Sequence, residues 1–129
     1  IKLTTVLLKK YTWEGFIFFT NYNSEKGKAI ETNPNVCLSF LWHNIERQVI
    51  IKGVAEKIAE NLSDGYFESR PEGSKLGAWA SDQSEAVPSR KYLDDRLNEF
   101  EQQFKDNEIT RPKHWGGFIV KPISIEFWQ

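Results

Sequence analysis

The sequence is short of several things that would announce a function. Its 129 residues include one cysteine, Cys37, and two histidines, His43 and His114. A single thiol permits no internal disulfide. Set in an apolar, strand-like run, Cys37 reads as a buried structural residue of a reducing compartment. Neither histidine has a cysteine or carboxylate at ligand spacing, so the sequence offers no metal site. His114 reads as a loop or packing residue rather than a base. There is no surplus of positive charge either: 17 Lys and Arg stand against 18 Asp and Glu, a formal net charge of −1. That argues against a sequence-independent grip on nucleic acid. No stretch reaches the roughly 18 apolar residues of a membrane helix, and no signal peptide is visible. The expectation is a cytoplasmic protein with neither membrane nor nucleic acid as partner. The eight glycines form no nucleotide-binding fingerprint, and no serine sits in a nucleophile elbow. The Glu99–Glu101 region reads as the solvated face of a helix. No catalytic side chain stands out, so any hard chemistry falls to a cofactor.

What is present is apolar area. Hydrophobic residues make up 40% of the chain and aromatic residues 14%, enough for one core in one domain spanning residues 1–129. Leu3 to Leu8 and Phe16 to Thr20 are β-rich and flank a turn-like Tyr11 to Gly15, which predicts a hairpin. Ser24 is a good N-cap for a helix to Thr32, stopped at Asn33-Pro34. Val36 to Trp42 alternates like a strand, His43-Asn44 reads as a turn, and Arg47 to Ile58 reads as a long strand with a possible bulge at Gly53. Helices are expected over Asn61 to Ser69, over Ser74 to Ser84, and after Ser89, where Leu93, Leu97, Phe100 and Phe104 share a face. Thr110 to Gly117 reads as a connection. Phe118 to Val120 and Ile123 to Phe127 read as two final strands around Pro122. The fold class is therefore mainly β with flanking helices: about six antiparallel strands in a closed or partly closed, Greek-key-like barrel.

Three groups of residues could carry binding. Thr20, Ser24 and Lys26 surround an expected helix N-terminus, which suits a phosphate and equally describes an ordinary capped helix with a solvated lysine. Tyr66 and Arg70, four apart, share a helical face, and Pro71 lets Ser74 fold back towards them. The three could converge on a phosphate or carboxylate, or Arg70 could satisfy the last carbonyls of its helix. Gln48, Gln83 and Ser84 suit the mixed donors and acceptors of a heterocycle edge such as a flavin, and suit exposed loops as well.

The order of short segments goes further. Val6-Leu7-Leu8-Lys9, Phe18-Phe19-Thr20-Asn21, Ser24 with Lys26-Gly27, and Glu46-Arg47-Gln48-Val49 come first. Tyr66-Phe67 with Ser69-Arg70-Pro71, Gly77-Ala78-Trp79, and Ser81 with Gln83-Ser84 follow. Arg111-Pro112, Trp115-Gly116-Gly117 and Ile125 to Gln129 complete the series. In this order and spacing the chain resembles the pyridoxamine 5'-phosphate oxidase family over essentially its whole length. The resemblance implies a homodimeric split β-barrel with FMN at the subunit interface. It implies O2-dependent oxidation of pyridoxamine or pyridoxine 5'-phosphate to pyridoxal 5'-phosphate. The FMN contacts it implies are Lys9, Phe19, Thr20, Lys26, Gln48, Gln83, Ser84 and Trp128; the substrate-phosphate contacts are Lys9, Tyr66, Arg70 and Ser74. Phe19 stands where many members carry Tyr.

Three departures accompany the resemblance. Thr4 and Glu25 stand where the family usually has arginine, and each charge-assisted bond lost there is worth about 1.5–3 kcal/mol if unreplaced. The family's Arg-x-His segment, expected after Gln129, and an N-terminal arm are not in this sequence. They motivate a second reading, a non-catalytic module that holds FMN or pyridoxal phosphate. A flavin reductase or another oxidase on the same barrel is a third.

Overall fold

The computed structural model describes residues 2–129. The aromatic row Phe16 to Phe19 forms the body of β2 (Gly15–Asn21), joined by a two-residue turn at Trp13-Glu14 to the short β1 (Lys10–Thr12). Ser24 then caps α1 (Glu25–Thr32), its Oγ accepting from the Gly27 amide at 3.2 Å. That satisfies one of the amides a helix start leaves unpaired. A second hairpin follows. β3 (Asn35–Trp42) and β4 (Arg47–Lys57) pair across a single 3-10 turn, His43–Ile45, closed by Glu46 in the left-handed region at φ 50°. Three helices come next: α2 (Glu60–Glu68), α3 (Glu72–Ala80) and α4 (Arg90–Gln103), the last capped by Ser89. The chain ends in β5 (Trp115–Trp128).

The sheet order is β1-β2-β5-β4-β3, antiparallel throughout. β5 enters between the two hairpins and joins them. It pairs with β2 from Trp115 to Val120 and with β4 from Phe118 to Trp128. The expected class, mainly antiparallel β with helices outside, is what the structure shows.

Three details differ from the sequence reading. The two final strands are one, so the described residues contain five strands. Pro122 does not break β5 because it lies past Val120, the last residue paired with β2, and opposite the register shift at Lys52/Gly53. A residue without an amide donor is tolerated at such a bulge or free edge. The irregularity falls at Gly53 as expected, but its extra residue is Ile123 of β5 rather than one of β4; Gly53 is needed opposite it because a Cβ would run into the Lys121 carbonyl. Leu3 to Leu8, read as a strand, lies outside the sheet with Leu3 and Leu7 exposed. Its run of apolar residues finds no strand edge to pair with before Lys9, whose amide donates to the Ile17 carbonyl at 3.0 Å. Cys37 is exposed rather than buried. It alternates out of phase with half-buried Val36, Leu38 and Phe40, so the pleat turns it to the open face.

The core has two parts. Phe18, Ile30, Ala55, Phe118 and Val120 fill the space between α1 and the sheet. Phe67, Leu76, Ala78, Ile109 and Trp115 fill the space beneath α2 and α3. A fully buried hydroxyl fixes α2 to the sheet: the Ser63 Oγ accepts from the Gly117 amide at 3.1 Å. Ser63→Ala strands that amide, and we expect a loss of about 1–3 kcal/mol of stability, measured by urea denaturation. An unchanged midpoint would contradict this role for Ser63.

Candidate functional site

The two halves of the core leave a cleft of about 860 Å³ between β2, the start of α1, and the α2–α3 corner. Each wall has a local cause. β2 ends at Asn21, so Phe19 and Thr20 are its last full turns of pleat and face the cleft. Ser24 starts α1 so that Lys26 lies in the first turn, and its Nζ reaches back to the Thr20 Oγ1 at 3.3 Å. Ser69 and Pro71 end α2 and start α3. The sharp corner puts Tyr66 and Arg70 on one side and Ser74, Gly77 and Ala78 on the other.

The electrostatics of this space are one-sided. Lys9, Lys26 and Arg70 line it, and among the described residues no carboxylate does. The Lys26 side chain is buried, and loss of hydration pushes its ammonium below the usual lysine range. Burial likewise lowers Arg70. The Arg70 guanidinium lies 4.6 Å over the Trp115 ring and donates through Nη1 to the Ser74 carbonyl at 3.3 Å. Beneath it Tyr66 stacks on Phe19 with centroids 4.0 Å apart, and Phe19 stacks on Trp115 at 5.4 Å. A cation thus rests on an aromatic floor, an arrangement that holds its position while leaving its remaining donors directed elsewhere.

Gln83 forms part of the far wall. Its Oε1 accepts from the Thr20 hydroxyl at 3.1 Å and from the Asn21 amide at 3.0 Å. Both bonds use the oxygen, which leaves the Nε2 donors for a ligand. A phosphate-bearing ring compound fits this donor set: three cations with no carboxylate among the described lining residues, hydroxyls, an amide donor and a flat aromatic surface.

Of the residues nominated from sequence, Lys9, Phe19, Thr20, Lys26, Tyr66, Arg70, Ser74 and Gln83 all line this one cleft. Gln48, Ser84 and Trp128 do not. Gln48 and Trp128 are cross-strand partners at the distal end of β4 and β5, where the Gln48 Nε2 donates to the Ser39 Oγ at 3.0 Å. Ser84 is exposed, next to Gln83, with φ 69°. Thr4 and Glu25, two of the three departures from the resemblance, also lie outside the lining. Thr4 faces a second cavity of about 840 Å³ that shares Val6 and Lys26 with the first. Glu25 points to solvent and pairs with Lys2 at 3.5 Å. His114 packs, as read: its Nε2 is 3.1 Å from the Ala78 carbonyl and its ring meets Trp79 edge-on.

Two contributors carried no role at the level of sequence. Trp115 is the floor under Arg70; only its place beside Gly116-Gly117 marked it. Arg111 is the pin that holds α2 against the start of β5. Its Nε donates to Asp64 at 2.6 Å, its Nη1 donates to the Trp115 carbonyl at 2.7 Å, and Glu60 lies 3.6 Å away. Glu60 and Asp64 four apart on α2 were a usable signal for a basic partner.

Residues 4–104 match the family model described as pyridoxamine 5'-phosphate oxidase. The chain is 63% identical over 128 residues to the pyridoxine/pyridoxamine 5'-phosphate oxidase of Flavobacterium psychrophilum, covering 99% of this chain and 60% of that protein. It is 53% identical over 124 residues to the enzyme of the same name from Nostoc sp., covering 96% of this chain and 58% of that protein. The chain thus spans about 60% of the length of the curated relatives it matches. Among solved structures it superposes on PhzG of Burkholderia lata, in complex with tetrahydrophenazine-1-carboxylic acid, with a TM-score of 0.87 at 24% identity, covering 95% of this chain and 60% of that one. It also superposes on a pyridoxamine 5'-phosphate oxidase-related, FMN-binding protein of Nostoc punctiforme, with a TM-score of 0.71 at 12% identity, covering 96% and 66%. These likenesses give the fold.

Because Arg111 is buried and bonded to two elements, Arg111→Met removes the tie between α2 and β5. We expect it to cost about 2–3 kcal/mol, measured by thermal or urea denaturation. Stability within 0.5 kcal/mol of wild type (about the noise of surface substitutions) would show that the pin is dispensable.

Proposed function

Because the chain belongs to the pyridoxamine 5'-phosphate oxidase family, we propose that it serves the FMN-dependent oxidation of pyridoxamine or pyridoxine 5'-phosphate to pyridoxal 5'-phosphate, with O2 as acceptor. The cofactor of this family is FMN. The observation that carries the reading is the charge balance of the cleft: Lys9, Lys26 and Arg70 converge on one space with no carboxylate among its described lining residues. An apolar-floored cavity with uncompensated cations is built for a ring that carries phosphate.

The division of labour follows from position. Lys26 in the first turn of α1 and Thr20 near the end of β2 would hold the FMN phosphate, where the helix N-terminus adds unpaired amides. Gln83, with its Oε1 occupied by Thr20 and Asn21, would present Nε2 to the flavin edge, and Phe19 would contact it through the backbone. Tyr66, Arg70 and Ser74 would hold the substrate phosphate, and Lys9 would lie between the two anions. FMN held there would supply the two-electron acceptor chemistry that this oxidation requires. What these residues contribute is orientation and exclusion of water from the reacting carbon.

The residues that do not reach the cleft fit a second copy of the chain. At the distal half of β5, Ile123, Phe127 and Trp128 are 74%, 78% and 58% exposed, with Phe127 and Trp128 on opposite faces of the strand; large apolar side chains left open together mark a contact surface. We read this end of the sheet as the contact surface of a homodimer in which the partner copy brings Gln48, Ser84 and Trp128 to the flavin.

The test is Arg70→Ala in the FMN-loaded protein. We expect the KM for pyridoxamine 5'-phosphate to rise about 100-fold, in line with removal of one partner of a buried charge pair, with FMN affinity within about twofold of wild type. An unchanged KM would remove Arg70 from the substrate role.

A further inference from the structure

Gly77 lies in the middle of α3 (Glu72–Ala80), where glycine costs about 1 kcal/mol relative to alanine. Buried glycines elsewhere in the chain have a packing reason. A Cβ at Gly116 would meet the Tyr22 ring, and one at Gly117 would meet Ile58 and Phe19. Gly77 has no such reason, since a Cβ built on it meets no protein atom within 4 Å. It is also half-buried and lines the cleft, together with Ser74 one turn before it and Ser81 one turn after. Space beside a half-buried helical backbone that no side chain of the protein uses is space for something else.

We propose that Gly77 is a specificity-determining residue: its bare backbone is the surface against which the ring of the phosphorylated substrate lies. This rests on the functional reading above, which places the substrate phosphate at Tyr66, Arg70 and Ser74. Gly77 is three residues beyond Ser74, about 4.5 Å further along the helix axis. A pyridine ring joined to its phosphate through a single methylene spans about that interval. A methyl group at Gly77 would occupy the room of the ring edge without touching Lys26, Thr20 or Gln83, the groups assigned to FMN.

Stability and binding therefore move in opposite directions. In the FMN-loaded protein, Gly77→Ala raises Tm by about 2–4 °C and weakens pyridoxal 5'-phosphate binding about tenfold, while the Kd for FMN stays within twofold. Gly65→Ala in α2 is the control. Gly65 is exposed, does not line the cleft, and its Cβ also meets nothing, so this variant gains Tm with no change in either Kd. Equilibrium dialysis with pyridoxal 5'-phosphate and flavin fluorescence titration give the two constants. Equal pyridoxal phosphate affinity for wild type and Gly77→Ala overturns the assignment of Gly77 and leaves the function standing. Loss of FMN binding instead would put the flavin, not the substrate, against α3 and overturn it too. A wild-type protein that takes FMN but no pyridoxal phosphate sinks the functional reading, and the Gly77 assignment with it.

Discussion

The structure depends on β5 being hydrogen-bonded along both edges at once. Between Phe118 and Val120 the strand is paired with β2 on one side and β4 on the other. Those three residues are buried and belong to the sheet interior. Everything that forms the cleft is tied to this stretch or to the residues just before it. Phe19 and Thr20 are opposite Gly117 and Gly116, Ser63 bonds to the Gly117 amide, and Arg111 bonds to the Trp115 carbonyl. Helix α2, which carries Tyr66 and ends beside Arg70, is therefore positioned by hydrogen bonds to β5 and not by its own propensity. A 9-residue helix is too short to be stable alone.

The second consequence of β5 lies in its other half. From Lys121 onward the strand keeps β4 as its one neighbour and its residues are exposed. β5 thus has a buried half, which borders the cleft, and an open half, which carries Trp128 opposite Gln48 of β4. The two halves lie at opposite ends of one strand, which is the reason the homodimer proposed above assigns the distal residues to the partner copy's site. The charge pattern agrees. Carboxylates are kept to the outside, where Glu25 pairs with Lys2 and Glu56 with Lys121, and the cations of the cleft are left for a ligand to neutralise.

Much of this was legible in the sequence, for identifiable reasons. The turn before Gly15, the Ser24 and Ser89 caps, the β3 alternation and the sheet irregularity at Gly53 are local signals set by backbone and side-chain chemistry within a few residues. The Tyr66, Arg70, Ser74 group was legible because helical spacing and Pro71 fix it locally. What was not legible depends on partners distant in sequence. Leu3 to Leu8 has strand composition but no edge to pair with. Pro122 signals a break, and it is tolerated because β2 has already ended. Cys37 sits in an apolar run but on the open face of the pleat. Trp115 and Arg111 acquire their roles only when α2 packs on β5, some fifty residues away in the chain. Eight of the nominated site residues meet in one cleft; Gln48, Ser84 and Trp128 do not, because they occupy the distal end of the sheet and an exposed loop.

The central claim is that the cleft recognises its ring compound chiefly through phosphate. Comparing FMN with riboflavin tests it most directly, since the two share the isoalloxazine ring and differ in the phosphate. Titrated into the purified protein and followed by flavin fluorescence, FMN is expected to bind at least about 100-fold more tightly than riboflavin, the difference a pair of charge-assisted bonds provides. Equal affinities would mean that Lys26 and Lys9 do not hold the FMN phosphate, and would contradict the account.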